Sequence, residues 1–345
     1  MLAVYGEGTV VSLIIDPAAI RRDPVAWTVR QLFPIAKQLR NEEEEEETQS
    51  KTKMMQLDLQ QGIDLDEWQI IGQGGTGMIC AHQTHPEWVI KIWRRAGNCH
   101  HWRQEYTMLG AMHSYITQRR DLCRLAPRIR VMRAYQFETS VEIKNLHRDY
   151  NDANNSQVMP PHNQCVMQVQ RIYPPRGFGS ETTQAMFGQP DINFVSDIRA
   201  VALRGRMLGL AQLDIIFGGR QGVLNIVAEL GTMVAALQLD GCFDLTDAEL
   251  TVGSSTQQHA QQPELFLIDF DMSRRYERKD YLKREQLLAA NLCLALETVA
   301  YYPMKNTDSQ LFEVFRGAYV EEGSRNGHGV LAQLVMQTYE TNTDF

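Results

Sequence analysis

Residues 70–93 read IIGQGGTGMICAHQTHPEWVIKIW, and the fold turns on how that stretch is read. Apolar residues flank a glycine-rich turn, a short polar turn follows at 84–87, and a third apolar run closes the segment. The pattern predicts strand, glycine turn, strand, turn, strand. Gly72, Gly74 and Gly77 match G-x-G-x-x-G, with Ile79 two positions on, and Lys91 stands 14 positions after Gly77. Two readings are open. In one, the glycines make a tight hairpin and the lysine is an exposed edge charge. In the other, the missing side chains let backbone approach phosphates, and an inward lysine needs a counter-charge.

A dinucleotide fingerprint would open a helix directly after its glycines, and a P-loop would continue G-K-[ST]; this sequence does neither. The protein-kinase arrangement fits better. There a glycine loop covers the phosphates, and a lysine on the third strand contacts them while a helix glutamate holds it. Residues 99–117 place Trp102, Tyr106, Leu109 and Met112 on one helical stripe, with Glu105 beside it as the natural partner of Lys91. Further on, LFLIDFDMS (265–273) predicts a buried strand ending at Asp269-Phe270-Asp271, the setting of a metal-binding carboxylate. Upstream, CFDLTDAEL (242–250) follows a long helix and puts Asp244 and Glu249 five positions apart, the spacing of Asp and Asn in a kinase catalytic loop. The expected roles follow. Gly72, Gly74, Gly77 and Lys91, with Glu105 behind it, would hold ATP; Asp269 and Glu249 would offer hard oxygen ligands to Mg²⁺. Asp244 would orient or deprotonate an acceptor hydroxyl, with Asp247 as a second candidate base.

The bulk numbers set the frame. The chain has 345 residues, 43% hydrophobic and 22% charged, with a formal net charge of −8. That length and composition predict a soluble protein of two domains or one two-lobed domain, and the acidic balance argues against a nucleic-acid partner. No run of eighteen apolar residues and no basic leader are seen, so neither a membrane span nor a secretory signal is expected. The six cysteines, at 80, 99, 123, 165, 242 and 293, show no CxxC pair, which predicts reduced thiols and an intracellular protein, cytoplasmic or nuclear. Cys80, His82, His85, Cys99, His100 and His101 crowd two short stretches, but neither C-x₂-C nor H-x₃₋₅-H spacing appears, so zinc is not expected there.

Residues 1–60 read as an N-terminal extension. It contains a helix-like stretch interrupted by Pro34 and an acidic linker of six successive glutamates. Residues 65–172 predict a small β-rich lobe with one helix, and 173–345 a mostly helical lobe. Within the latter, 223–239, 284–300 and two later segments carry helical apolar patterns, while 200–218 is ambiguous. LFEVFRGAY (311–319) reads either as core or as a docking surface. The fold class expected is α+β, kinase-like and bilobal.

The sequence resembles a fungal family of unknown function whose members are often labelled zinc-finger proteins. The resemblance runs through IGQGGTG…VIKIW…WRQEYTMLGAMH, MQVQRIYPP, ELGTMVAALQLDGCFDLTDAELTVG, LFLIDFDMSRR and ETVAYYPMKNTDSQLFEVFRGAYVEEG, roughly residues 70–322. The family typically carries D-x-x-D-V-E-F-V-L, and Asp244, Asp247 and Glu249 occupy its acidic positions. This resemblance implies a kinase-like bilobal fold and no established reaction. The chain departs from the family's G-x-G-Q-C-G at Gly75-Thr76. It departs from true kinases where Cys242-Phe243 stand for His-Arg, Glu249 for Asn, and Asp271 for the D-F-G glycine. Two functions therefore stay open: a pseudokinase or regulatory module, with a protein partner, or an ATP-dependent phosphotransferase acting on a small molecule or a protein hydroxyl.

Overall fold

The computed structural model describes residues 2–6, 9–13, 59, 62–73, 77–82, 84–93, 99–144, 164–175, 183–185, 206–256, 263–281, 283–297 and 301–343. The chain divides into two compact units, Met1–Leu57 and Asp58–Phe345. In the first, β1 (Leu2–Gly6) and β2 (Thr9–Leu13) form an antiparallel hairpin, an element not anticipated from the sequence. The helix-like stretch, the glutamate run, the loop at 145–163 and Gly74 lie outside the described residues.

The second unit is α+β. Its strands and helices, in chain order, begin with β3 (Ile63–Asp64), β4 (Trp68–Gln73), β5 (Gly77–His82), β6 (Trp88–Trp93), α1 (His100–Gln118) and the short α2 (Leu122–Leu125). Then come β7 (Ile129–Val131), β8 (Ala134–Val141), β9 (Ile143–Lys144), β10 (Gln164–Gln170), β11 (Thr183–Ala185) and β12 (Arg206–Leu208). The remainder holds α3 (Leu210–Ile216), α4 (Arg220–Ala235), β13 (Glu249–Gly253), β14 (Glu264–Ile268), α5 (Glu285–Glu297), α6 (Ser309–Arg325) and α7 (Gly329–Thr343).

One five-stranded sheet has the order β4-β5-β6-β10-β8 and the other β12-β11-β13-β14-β7. The first is a meander of three antiparallel strands; the chain then leaves through α1 and returns to add β10 and β8. β6, WVIKIW, is buried on nearly every residue, as a strand covered on both faces must be. The helix α1 buries Trp102, Glu105, Met108, Leu109 and Met112, a stripe at three- and four-residue steps. Glu105 is the one carboxylate in that stripe.

The helical half is built around α4, which continues through a π-helical turn to Asp240. Arg220–Asp240 is long and apolar enough to cross a membrane by composition, and it is mostly buried within the fold, as an all-round apolar core helix is. Gly231 lets α6 close on it: a Cβ there would lie 2.5 Å from the Phe315 carbonyl oxygen. The start of α6 is capped by Asp308, whose side chain accepts from the Leu311 N–H at 3.0 Å. Leu311, Phe312, Phe315 and Tyr319 are fully buried, so of the two readings of residues 311–319 their helical spacing serves the core.

Tyr173 joins the two sheets. Its backbone exchanges hydrogen bonds with Ser254 just past β13, at 2.9 and 2.8 Å, and its hydroxyl donates to the Pro86 carbonyl at the β5–β6 turn. A second long-range link corrects the sequence reading: Cys99 and Cys165 are bonded as a disulfide, with Cα atoms 5.9 Å apart. They are 66 residues apart in sequence, and packing α1 across β10 brings them together. No local spacing pattern could reveal that.

Candidate functional site

Lys91 is the fourth residue of β6, opposite Ile79 on β5 and Met167 on β10. The inner strand position forces its side chain under α1, where both Glu105 carboxylate oxygens lie 2.9 Å from Nζ. Glu105 is fully buried and the Lys91 side chain is 16% exposed. The Trp102 ring centroid lies 5.3 Å from Nζ, and Trp102 packs edge-on against Trp93 at 5.3 Å. The ammonium thus sits between a carboxylate and an aromatic face, both presented by the first two turns of α1. The sequence expectation of a Lys91–Glu105 pair is met by direct contact.

Two loops close toward this pair. Strand β14 ends at Ile268, opposite Glu249, the first residue of β13. Register alone therefore brings Glu249 beside the strand end from which Asp269 departs. The loop that leads into β13 and the loop that leaves β14 are zipped together. Asp244 N–H donates to Arg274 O at 2.9 Å, Tyr276 N–H donates to Cys242 O at 2.9 Å, and Phe243 bridges Arg275. Ser273 Oγ donates to Thr246 O at 2.8 Å, and Gln104 of α1 donates to Ser273 O at 2.8 Å. Cys242, Leu245, Asp247 and Asp269 all have left-handed backbones, with φ of 60°, 57°, 62° and 60°. Strain of this kind, about 1–3 kcal/mol per residue, persists where surrounding structure over-determines it and clusters at functional sites.

The electrostatics link the pair to the loops. Burial disfavours the Lys91 charge, but Glu105, Asp269 and Asp271 together hold its pKa above the ordinary lysine value. Burial pushes Glu105 up to about 7, with Asp269 and Asp271 adding to the rise and Lys91 opposing it. Asp271 is raised by burial and by its neighbours Asp269 and Asp247, while His101 and Lys91 pull it down. Asp247, Asp269, Asp271, His101 and Lys91 therefore share one electrostatic neighbourhood. Asp271 and His101 were not among the expected site residues; the doubled aspartate of D-F-D was the available signal for the first.

The expected residues divide in their environments. Asp244 is engaged by the backbone: its Oδ1 accepts from Arg274 N–H at 2.7 Å and from Thr246 N–H at 3.1 Å. Asp247 is exposed at the surface of the loop and Glu249 is half-buried. Of the glycines, Gly77 has a packing reason, since a Cβ there would lie 2.8 Å from both the Ile92 carbonyl oxygen and the Trp102 ring. Gly72 lies where the β4–β5 register shifts, and a Cβ there would meet only the Ile79 side chain, at 3.6 Å.

Among the described residues no three His, Cys, Asp or Glu side chains are grouped to hold a metal. For the Cys/His-rich stretches this agrees with their chemistry. Burial pushes the Cys80 thiol up to about 12, and Cys99 is spent in the disulfide. Mg²⁺ in a nucleotide site asks for less, one or two carboxylates with phosphates and water completing the shell. The donor chemistry around Asp269 fits that requirement.

No protein-family model matches the chain and no curated protein matches it. Among solved structures, the chain is similar to the crystal structure of Rad53 1-466 in complex with AMP-PNP, at 11% identity and a TM-score of 0.27. The match covers 79% of this chain, which spans 62% of the length of that one. A likeness at that TM-score adds nothing to the geometry.

Proposed function

We propose that this chain is a kinase-like, bilobal protein that binds a nucleotide triphosphate with Mg²⁺ and acts as a regulatory binding module. The small lobe would be residues 65–172 and the mostly helical lobe 173–345, with β7 of the former pairing with β14 of the latter. The reading is carried by one observation: a buried Lys91–Glu105 pair on the third strand and first helix, within the electrostatic reach of an aspartate that leaves the end of β14. In such a site Lys91 would meet phosphate charge, and Asp269, with Glu249 beside the strand end it leaves, would hold the cation. The bound metal would neutralise phosphate charge; everything else the protein supplies is positioning.

Several departures favour binding over turnover. Asp244, at the position of the catalytic aspartate, already accepts two backbone N–H groups. Glu249 and Asp271 add negative charge where a kinase has Asn and Gly, which repels phosphate unless a cation compensates. A phosphotransferase reading has one specific support: Asp247 is exposed next to Asp271, where it could accept a proton from a small-molecule or protein hydroxyl.

Thermal unfolding with and without ATP and Mg²⁺, on wild type, Lys91→Ala and Asp269→Asn, tests the binding reading. At 100 times its dissociation constant a ligand stabilises by about 2.7 kcal/mol. A Mg²⁺-dependent rise in wild type that both variants lose is expected. No rise at saturating nucleotide would overturn the proposal. ADP formation from ATP, tested with Asp247→Asn beside wild type, separates the two functions.

A further inference from the structure

The disulfide stands at the start of α1. Cys99 is the N-cap residue of α1, and it makes no side-chain capping hydrogen bond. The first turn carries no acidic residue to meet the helix dipole and begins with two histidines. Neither the side chain of the N-cap residue nor an acidic first turn therefore serves this helix start. The covalent bond to Cys165 supplies an anchor instead. Cys165 lies on β10, two residues before Met167, which pairs with Lys91. Alternation along a strand then puts Cys165 and Lys91 on the same, α1-facing side of the sheet. Glu105 follows Cys99 by six residues, about 9 Å along the helix axis at ~1.5 Å per residue. The bond therefore fixes the approach of α1 to the sheet within two turns of the carboxylate that meets Lys91.

We propose that Cys99–Cys165 is a redox-controlled tie that positions α1, so that oxidation secures the Lys91–Glu105 contact and reduction loosens it. Cys99 and Cys165 are positioning residues. The electron donor is a dithiol of the thioredoxin class. Its thiolate attacks Cys99, the half-buried sulfur, while Cys165 is 2% exposed. The Cys99–Cys165 bond breaks, Cys165 leaves as a thiolate that takes up a proton, and a mixed disulfide forms at Cys99. The second thiolate of the donor then displaces Cys99, which is protonated in turn. Two electrons and two protons have passed to the protein and the donor ends as a disulfide. Hydrogen peroxide reverses the change, giving the bond and two waters. With the bond open, Gln104 to Ser273, Glu105 to Lys91 and the packing of Trp102 still attach α1 to the sheet and loops, and the loosening starts at Cys99. The consequence for nucleotide binding rests on the function proposed above; the tie itself does not.

Hydrogen exchange of the full chain without nucleotide tests this, on protein purified without reductant and on the same protein after treatment with a phosphine reductant. Differential alkylation first assigns the cysteines. Cys99 and Cys165 are expected to label only after reduction, while exposed Cys123 labels in both states. Backbone amides of residues 100–106 are expected to exchange at least ~10-fold faster after reduction, with β4–β6 unchanged. Cys99→Ser should show the fast pattern in both states, and Cys123→Ser should behave as wild type. Labelling of Cys99 and Cys165 without reductant would overturn the proposal, as would equal α1 protection in both states. Should Cys99→Ser fail to fold, the two states of the wild-type chain decide alone. A thermal-shift arm with ATP and Mg²⁺ keeps the questions apart: absence of a shift in either redox state counts against the nucleotide site and leaves the exchange result standing.

Discussion

Replacing Glu105 by Gln keeps size and shape and removes one charge from a pair whose carboxylate is fully buried. Breaking a buried ion pair from one side costs about 3–5 kcal/mol, because the remaining charge is left in a low-dielectric site. Lys91 would not be wholly abandoned: Asp269 and Asp271 still favour its charge and Trp102 still faces it. The expected loss is therefore near the lower end, about 3 kcal/mol. Lys91→Met leaves Glu105 buried among like charges, and the carboxyl escapes the cost by binding a proton. The double variant Lys91→Met/Glu105→Leu removes both charges, and its stability should lie within about 1–2 kcal/mol of wild type, far from the sum of the singles. Urea titration of the four proteins at pH 7 measures the cycle. If Glu105→Gln unfolds at the wild-type midpoint, or if the double variant loses the full sum, the pair is not the buried, coupled contact described.

Gly77→Ala drives a Cβ into Trp102 and the Ile92 carbonyl and should cost about 1–3 kcal/mol, whereas Gly72→Ala should fall within about 1 kcal/mol of wild type; thermal melts compare the two. Asp244→Asn keeps the oxygen that accepts from Thr246 and Arg274 and should fold as wild type. Asp244→Ala, which loses both bonds, should destabilise by about 1–3 kcal/mol in the same melts. Equal melting of the two Asp244 variants would show that these hydrogen bonds do not hold the loop.

The first sheet was legible because its signals are local. Apolar runs around Gly72 and Gly77 give three strands, the α1 stripe gives a helix, and an inward lysine demands a partner that only Glu105 could supply. Strand β14 was legible as an apolar run ending at Asp269, whereas its partner β13 was not legible as a strand. What stayed hidden depends on long-range closure. Asp244 matched a catalytic spacing, but spacing says nothing of the Arg274 N–H that takes its oxygen. Glycine counting could not distinguish room for phosphate from room for the Trp102 ring. The Cys99–Cys165 bond and the parallel pairing of β7 with β14 join segments that share no pattern. The region 200–218 proved to hold both a strand and a helix, β12 followed by α3, which explains why neither period dominated it.

The far end of α1 is held quite differently from its start. Tyr115 donates to Asp240 at 2.8 Å, and Arg119 reaches Asp240 at 2.6 Å, Glu322 at 2.8 Å and Asp121 at 3.0 Å. Helix α1 is thus a lever with its fulcrum at Arg119 and its load at Glu105. Fourteen residues separate them, an arm of about 21 Å, so a rotation of roughly 10° would sweep the carboxylate through about 3.7 Å. A turn too small to disturb the fulcrum is enough to pull the carboxylate away from an ammonium that now lies 2.9 Å from it.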